Sequence, residues 1–117
     1  MTIDSLSAVT LAVSDMSRSV RFYVSLGFGM RYGGEDTDFT SFSVGGSYLN
    51  LALREGFDGA GPWGRAIFYV SDVDAAHERA LAAGLRPSTQ PRDAEWHERY
   101  FHILDPDGHE ISFAKPL

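Results

Sequence analysis

The sequence runs to 117 residues, 44% of them hydrophobic and 22% charged, with a formal net charge of −6 and no cysteine. Such a length and composition describe one ordinary globular domain and exclude a disordered or fibrous chain. The missing cysteines exclude a disulfide framework and any thiolate zinc site. Net acidity speaks against a nucleic-acid partner, which requires a basic face. The N-terminus has no basic region or long apolar stretch, and no apolar run approaches the roughly 20 residues of a membrane span. A cytoplasmic protein with no membrane partner is expected.

Taken in chain order, Val9, Leu11 and Val13 alternate as one face of a strand. Ser14 and Asp15 then supply N-cap residues, and Met16, Val20, Tyr23 and Val24 make a helical apolar stripe that Gly27 closes. Three strands follow, over residues 28–34, 39–44 and 48–53. The acidic run at Glu35, Asp36 and Asp38 forms a solvated hairpin tip, and Gly45-Gly46 a second turn. Residues 54–63, rich in glycine, read as a linker. The pattern then repeats. Ala66, Phe68 and Val70 alternate; Ser71 and Asp72 cap a helix with the stripe Val73, Ala76, Ala80 and Leu81; Gly84 closes it. Strands are expected over 86–92, 99–104 and 110–114, with Asp105-Pro106-Asp107-Gly108 as the last hairpin turn.

The Ser-Asp pairs and the closing glycines of the two halves stand the same 57 residues apart, and the hairpin turns 62 apart. The extra residues fall at 90–97. The chain is therefore α+β, two tandem βαβββ modules, one at about 6–54 and the other at about 64–115, within a single domain spanning 1–117. One such module cannot cover its sheet alone, so the two are expected to join edge to edge or to exchange between chains.

Two motifs carry a family resemblance. The stretch from Val13-Ser-Asp through Phe22-Tyr23 to Leu26-Gly27-Phe28 resembles the first-helix signature of the vicinal-oxygen-chelate proteins, the glyoxalase, bleomycin-resistance and extradiol dioxygenase group. Asp105-Pro-Asp-Gly108 followed by an apolar strand resembles their last hairpin. The resemblance covers nearly the whole chain and implies a curved mixed sheet around a cleft. In metal-dependent relatives each module contributes two ligands, and the corresponding positions here are Ala8 and Asn50, Arg65 and Ser112. None is a histidine or a carboxylate, and an arginine repels a divalent cation. No metal and no other cofactor is expected. The four histidines offer no replacement: His77 lies on a helix stripe and should pack, His97 and His102 differ in strand parity, and His109 follows a turn and should face solvent.

Residues two apart on a strand share a face. The face holding the four former ligand positions should line the cleft, with Tyr48, Asn50, Arg65, Tyr69, Glu110 and Ser112, bordered by Trp63, Trp96 and Arg99. The opposite face is almost purely apolar. Aromatic walls with a few polar groups suit a small organic ligand, although Arg65 has a salt bridge to Glu110 as its other reading. No nucleophile-and-base arrangement stands out, so no residue is assigned a catalytic role. The expectation is a metal-free small-molecule-binding homodimer resembling the bleomycin-resistance branch, sequestering an aromatic or partly apolar compound in a role such as antibiotic resistance. Its alternatives are a lyase, isomerase or dioxygenase with a nonstandard metal site, and a structural or regulatory dimer whose cleft is filled by its own side chains.

Overall fold

A computed structural model describes all 117 residues. The elements run β1 (Ala8–Val13), α1 (Met16–Ser25), β2 (Gly29–Tyr32), β3 (Phe39–Val44), β4 (Ser47–Leu53), β5 (Arg65–Tyr69), α2 (Val73–Ala82), β6 (Arg92–Asp93), β7 (Glu98–Leu104) and β8 (Glu110–Pro116). This is βαβββ twice. The strands form two four-stranded mixed sheets, ordered β1-β4-β3-β2 and β5-β8-β7-β6. The first strand of each module pairs parallel to the last, and the remaining pairings are antiparallel. The chain forms two compact units, Met1–Asp58 and Gly59–Leu117, dividing inside the glycine-rich linker. No helix is long and apolar enough to cross a membrane.

Both helices start as their sequences dictate. The Asp15 carboxylate accepts from the backbone N–H of Arg18, and Asp72 from that of Ala75, each at 3.0 Å, which satisfies donors that the first helical turn leaves unpaired. Gly27 and Gly84, at φ 104° and 80°, end the helices in the left-handed region. Replacing Asp72 with Ala should therefore destabilise the protein by about 1 kcal/mol in urea titrations. Loss of the Ala75 cap predicts that amide exchange should quicken in the first turn of α2 before it does elsewhere.

The core of the first unit lies between α1 and one sheet face. Met16, Val20 and Tyr23 meet Leu11, Val13, Leu49 and Leu51, all buried. In the second unit Val73, His77 and Ala80 meet Ala66, Phe101, Ile111 and Phe113. Each such large apolar side chain contributes about 1.5–3 kcal/mol on burial. The expected stripes shift slightly. Val24 and Leu81 are exposed and Phe22 is buried, while His77 packs inward as expected. One expected strand nearly disappears: of residues 86–92 only Arg92 enters the sheet. Pro87 and Pro91 have no N–H for a ladder, and the segment is tied instead by Ser88 N–H to His102 O and by Thr89 Oγ1 to His102 N–H.

Candidate functional site

In the second unit the strands run β5, β8, β7 side by side. Arg65 pairs with Glu110, Ile67 with Ser112, His102 with Ser112, and Tyr100 with Ala114. Because side chains alternate, Phe68, Phe101, Ile111 and Phe113 point to the helix side. Arg65, Ile67, Glu98, Tyr100, His102, Ser112 and Ala114 share the other face. With Trp96, they line a small hollow of about 40 Å³.

Its polar end is organised by one carboxylate oxygen. Glu110 Oε1 lies 3.2 Å from Arg65 Nε and 3.7 Å from His102 Nδ1. The Arg65–Glu110 pair is half open to solvent, so its contribution to stability is at most about 1 kcal/mol. It orients two groups more than it staples two strands. Burial, reinforced by the positive charges of Arg65 and Arg92, outweighs the carboxylate of Glu110 and holds the His102 imidazole below its usual pKa. The ring is neutral at pH 7.

The other end is aromatic. Trp96 stacks on Tyr100 at 5.6 Å between centroids and 28° between planes, and Tyr100 in turn touches the His102 ring at 4.9 Å. Arg92 Nε donates to the Tyr100 hydroxyl at 2.8 Å. Glu98 accepts from Trp96 Nε1 at 3.1 Å and from the Tyr69 hydroxyl, and that bond to a carboxylate raises the Tyr69 pKa. Ile67, Tyr69 and Trp96 nevertheless remain 57%, 65% and 60% exposed, large apolar surfaces left to solvent beside charged groups.

Several expected site residues lie elsewhere. Arg99 is on the helix side of β7, paired through two nitrogens with Asp74 and at 3.0 Å with Asp93. Those bonds raise its pKa and lower that of Asp74, and they pin β7 to the start of α2. Trp63 donates its Nε1 to His109 Nδ1 at 2.9 Å and does not line the hollow. His109, expected at the surface, is buried at 5% exposure by that ring and the turn: its backbone N–H donates to Asp105 Oδ1 at 2.9 Å. His77 packs edge-on against Phe101. Tyr48 and Asn50 belong to the first unit. There, Arg31 lies 4.3 Å over the Tyr48 ring, and Asn50 Nδ2 donates to Thr10 Oγ1 at 3.2 Å. Of the nine expected binding residues, Arg65, Tyr69, Trp96, Glu110 and Ser112 come together on one face. Glu98, Tyr100 and His102 join them unforeseen.

The metal that the resemblance implies does not fit the residues present. Ala8 has no donor and Arg65 carries a positive charge. Ser112 is buried and gives its hydroxyl to Phe101 O at 3.4 Å, and Asn50 has only an amide. Nowhere do three His, Cys, Asp or Glu side chains gather as one ion would need.

Comparison with known proteins agrees with the fold. An uncharacterized protein of Mycolicibacterium smegmatis is 30% identical over 112 residues, covering 93% of this chain and 91% of its own. Uncharacterized proteins of Mycobacterium bovis and Mycobacterium tuberculosis are 44% identical over 48 residues, and the chain spans about a third of their length. Among solved structures, TioX from Micromonospora sp. ML1 superposes with a TM-score of 0.78 at 26% identity, covering 97% of this chain and all of that one. A glyoxalase/dioxygenase from Nostoc punctiforme reaches 0.81 at 18% identity, over 97% and 91%. The sequence profile of one family matches residues 5–113. With its two βαβββ modules, the chain belongs to the Glyoxalase/Bleomycin resistance protein/Dioxygenase superfamily.

Proposed function

We propose that the protein binds a small organic molecule without a metal, holding an aromatic or partly apolar ligand against the open face of β5, β8 and β7. One observation carries this reading. Ile67, Tyr69 and Trp96 stand exposed around a charged and hydrogen-bonding floor made by Arg65, Glu110 and His102. Apolar surface with a few oriented polar groups is what a ligand pocket requires, and a soluble surface without a partner does not need it. Stacking and desolvation supply the affinity; the polar floor sets orientation. The hollow itself is small, so the body of the ligand lies over Trp96 and Tyr69 at its rim. Sequestration of a compound, an antibiotic for instance, needs no catalytic group. A cytoplasmic homodimer is the form in which we take it to act.

Metal analysis together with native mass spectrometry of protein purified from its host tests this. The expected result is a co-purified organic molecule on a dimer with substoichiometric metal. Stoichiometric Ni, Zn, Fe or Mn would overturn it in favour of a metal-dependent lyase, isomerase or dioxygenase. Trp96→Ala should weaken binding of a ligand so identified by about tenfold, the loss of one aromatic stacking partner. An unchanged Kd by isothermal titration calorimetry would remove Trp96 from the site.

A further inference from the structure

The hydrogen bonding of His102 is incomplete. Its Nδ1 is buried without a hydrogen-bond partner, 3.7 Å from Glu110 Oε1, and Nε2 makes no hydrogen bond within the protein. The negative charge beside Nδ1 favours the tautomer with its proton there, which leaves the lone pair on Nε2. The ring lines the hollow. Next to it, Arg65 sets its Nε toward the same Glu110 oxygen, and neither Nη group makes a hydrogen bond within the protein. One carboxylate thus aims a proton acceptor and a cation at one small volume.

Few ligand chemistries satisfy both. A cation meets Arg65 with Arg92 behind it. A carboxylate suits Arg65 but offers no proton to a neutral imidazole and faces the charges of Glu98 and Glu110. An acidic hydroxyl satisfies the pair: its proton goes to Nε2, and the negative charge that develops on its oxygen lies beside the guanidinium. The hollow has room for such a substituent rather than for a whole ring, and the Trp96–Tyr100 stack at its rim matches a flat ring.

Resting on the binding role argued above, we infer that the site recognises a phenol-type ligand, an aromatic ring whose acidic hydroxyl donates to His102 Nε2 while Arg65 holds the oxygen. Where the proton transfers fully, the O–H bond breaks and an Nε2–H bond forms. The phenolate then lies beside the imidazolium and Arg65, and the proton returns on release. No other reactant enters.

The test uses two probes on the full chain: 4-nitrophenol, whose visible absorption reports its ionisation, and 4-nitroanisole, the same ring with the acidic proton replaced by methyl. The nitrophenol should bind about tenfold tighter than the anisole, and its apparent pKa should fall on binding. His102→Leu, which has no acceptor, should abolish that preference, and Arg65→Gln should remove the fall in pKa. Equal binding of the two probes by the unmodified protein overturns the inference and leaves the small-molecule role standing. Failure of both to bind overturns the two together. The comparison on unmodified protein decides the matter even if a variant does not fold.

Discussion

Phe101→Ala should lower the stability of the protein by about 3–5 kcal/mol, the range for emptying a fully buried aromatic site. Phe101 has no exposed surface, meets His77 edge-on at 5.0 Å and lies 5.4 Å from Phe113. Its ring is therefore the contact through which α2 rests on β7 and β8. The neighbouring residues Tyr100 and His102 point to the opposite side of the same strand. A cavity beneath them should loosen the floor of the hollow, and ligand affinity should fall along with stability. Urea unfolding monitored by circular dichroism reads the first effect and calorimetric titration the second. Leu104→Ala, at a position 53% exposed, is the control and should shift stability by no more than about 0.5 kcal/mol. A loss at Phe101 close to that of Leu104 would mean that the packing between α2 and the sheet does not depend on this ring.

The fold was legible because its signals are local and occur twice. Asp15 and Asp72 cap their helices, Gly27 and Gly84 close them, and buried Leu11 and Val13 alternate with Thr10 and Ala12. Each feature acts within a few residues, and the offset of 57 lets one half check the other. The sheet faces were legible for the same reason in strands whose apolar residues alternate. The site was less so. Nearness in sequence sets Arg99 beside Trp96, yet on β7 it lies between Glu98 and Tyr100, where neighbours face opposite ways, and Asp74 and Asp93 hold it on the helix side. His102, Tyr100 and Glu98 were recoverable. The turn at Asp105–Gly108 pairs Leu104 with Glu110, and counting back in twos places His102 beside Ser112. What no local pattern carries is the choice between two partners far apart in the chain. Trp63 meets His109 across 46 positions, and nothing within six residues of either announces it. The strand expected over 86–92 failed through Pro87 and Pro91, which have no N–H to give to a ladder.

Gly33→Ala is the other change with a large expected effect, about 3 kcal/mol of lost stability, and the reason is geometric. Gly33 sits at φ +86°, where any side chain is strained by about 1–2 kcal/mol. A methyl group built there would also lie 2.3 Å from the carbonyl oxygen of Phe39, 2.8 Å from Thr40 Cα and 2.9 Å from Thr40 Oγ1. Two of those atoms are backbone and cannot swing aside. The close approach is held by a fully buried Thr40, whose hydroxyl accepts from Gly34 N–H at 3.0 Å and lies 3.1 Å from Gly34 O. An alanine must open these contacts and push the end of β2 away from β3. Gly34→Ala tests the division between strain and collision: it has φ +143° and nothing within 4 Å of the added carbon, so only the backbone cost remains. Gly29→Ala, with open space and an ordinary φ, should be near neutral. Urea midpoints falling in the order Gly29, Gly34, Gly33 are expected. A Gly33 variant no worse than the Gly34 one would show that β2 moves away from β3 at little cost, and that the hairpin around the acidic tip is held by its ladder instead of by this contact.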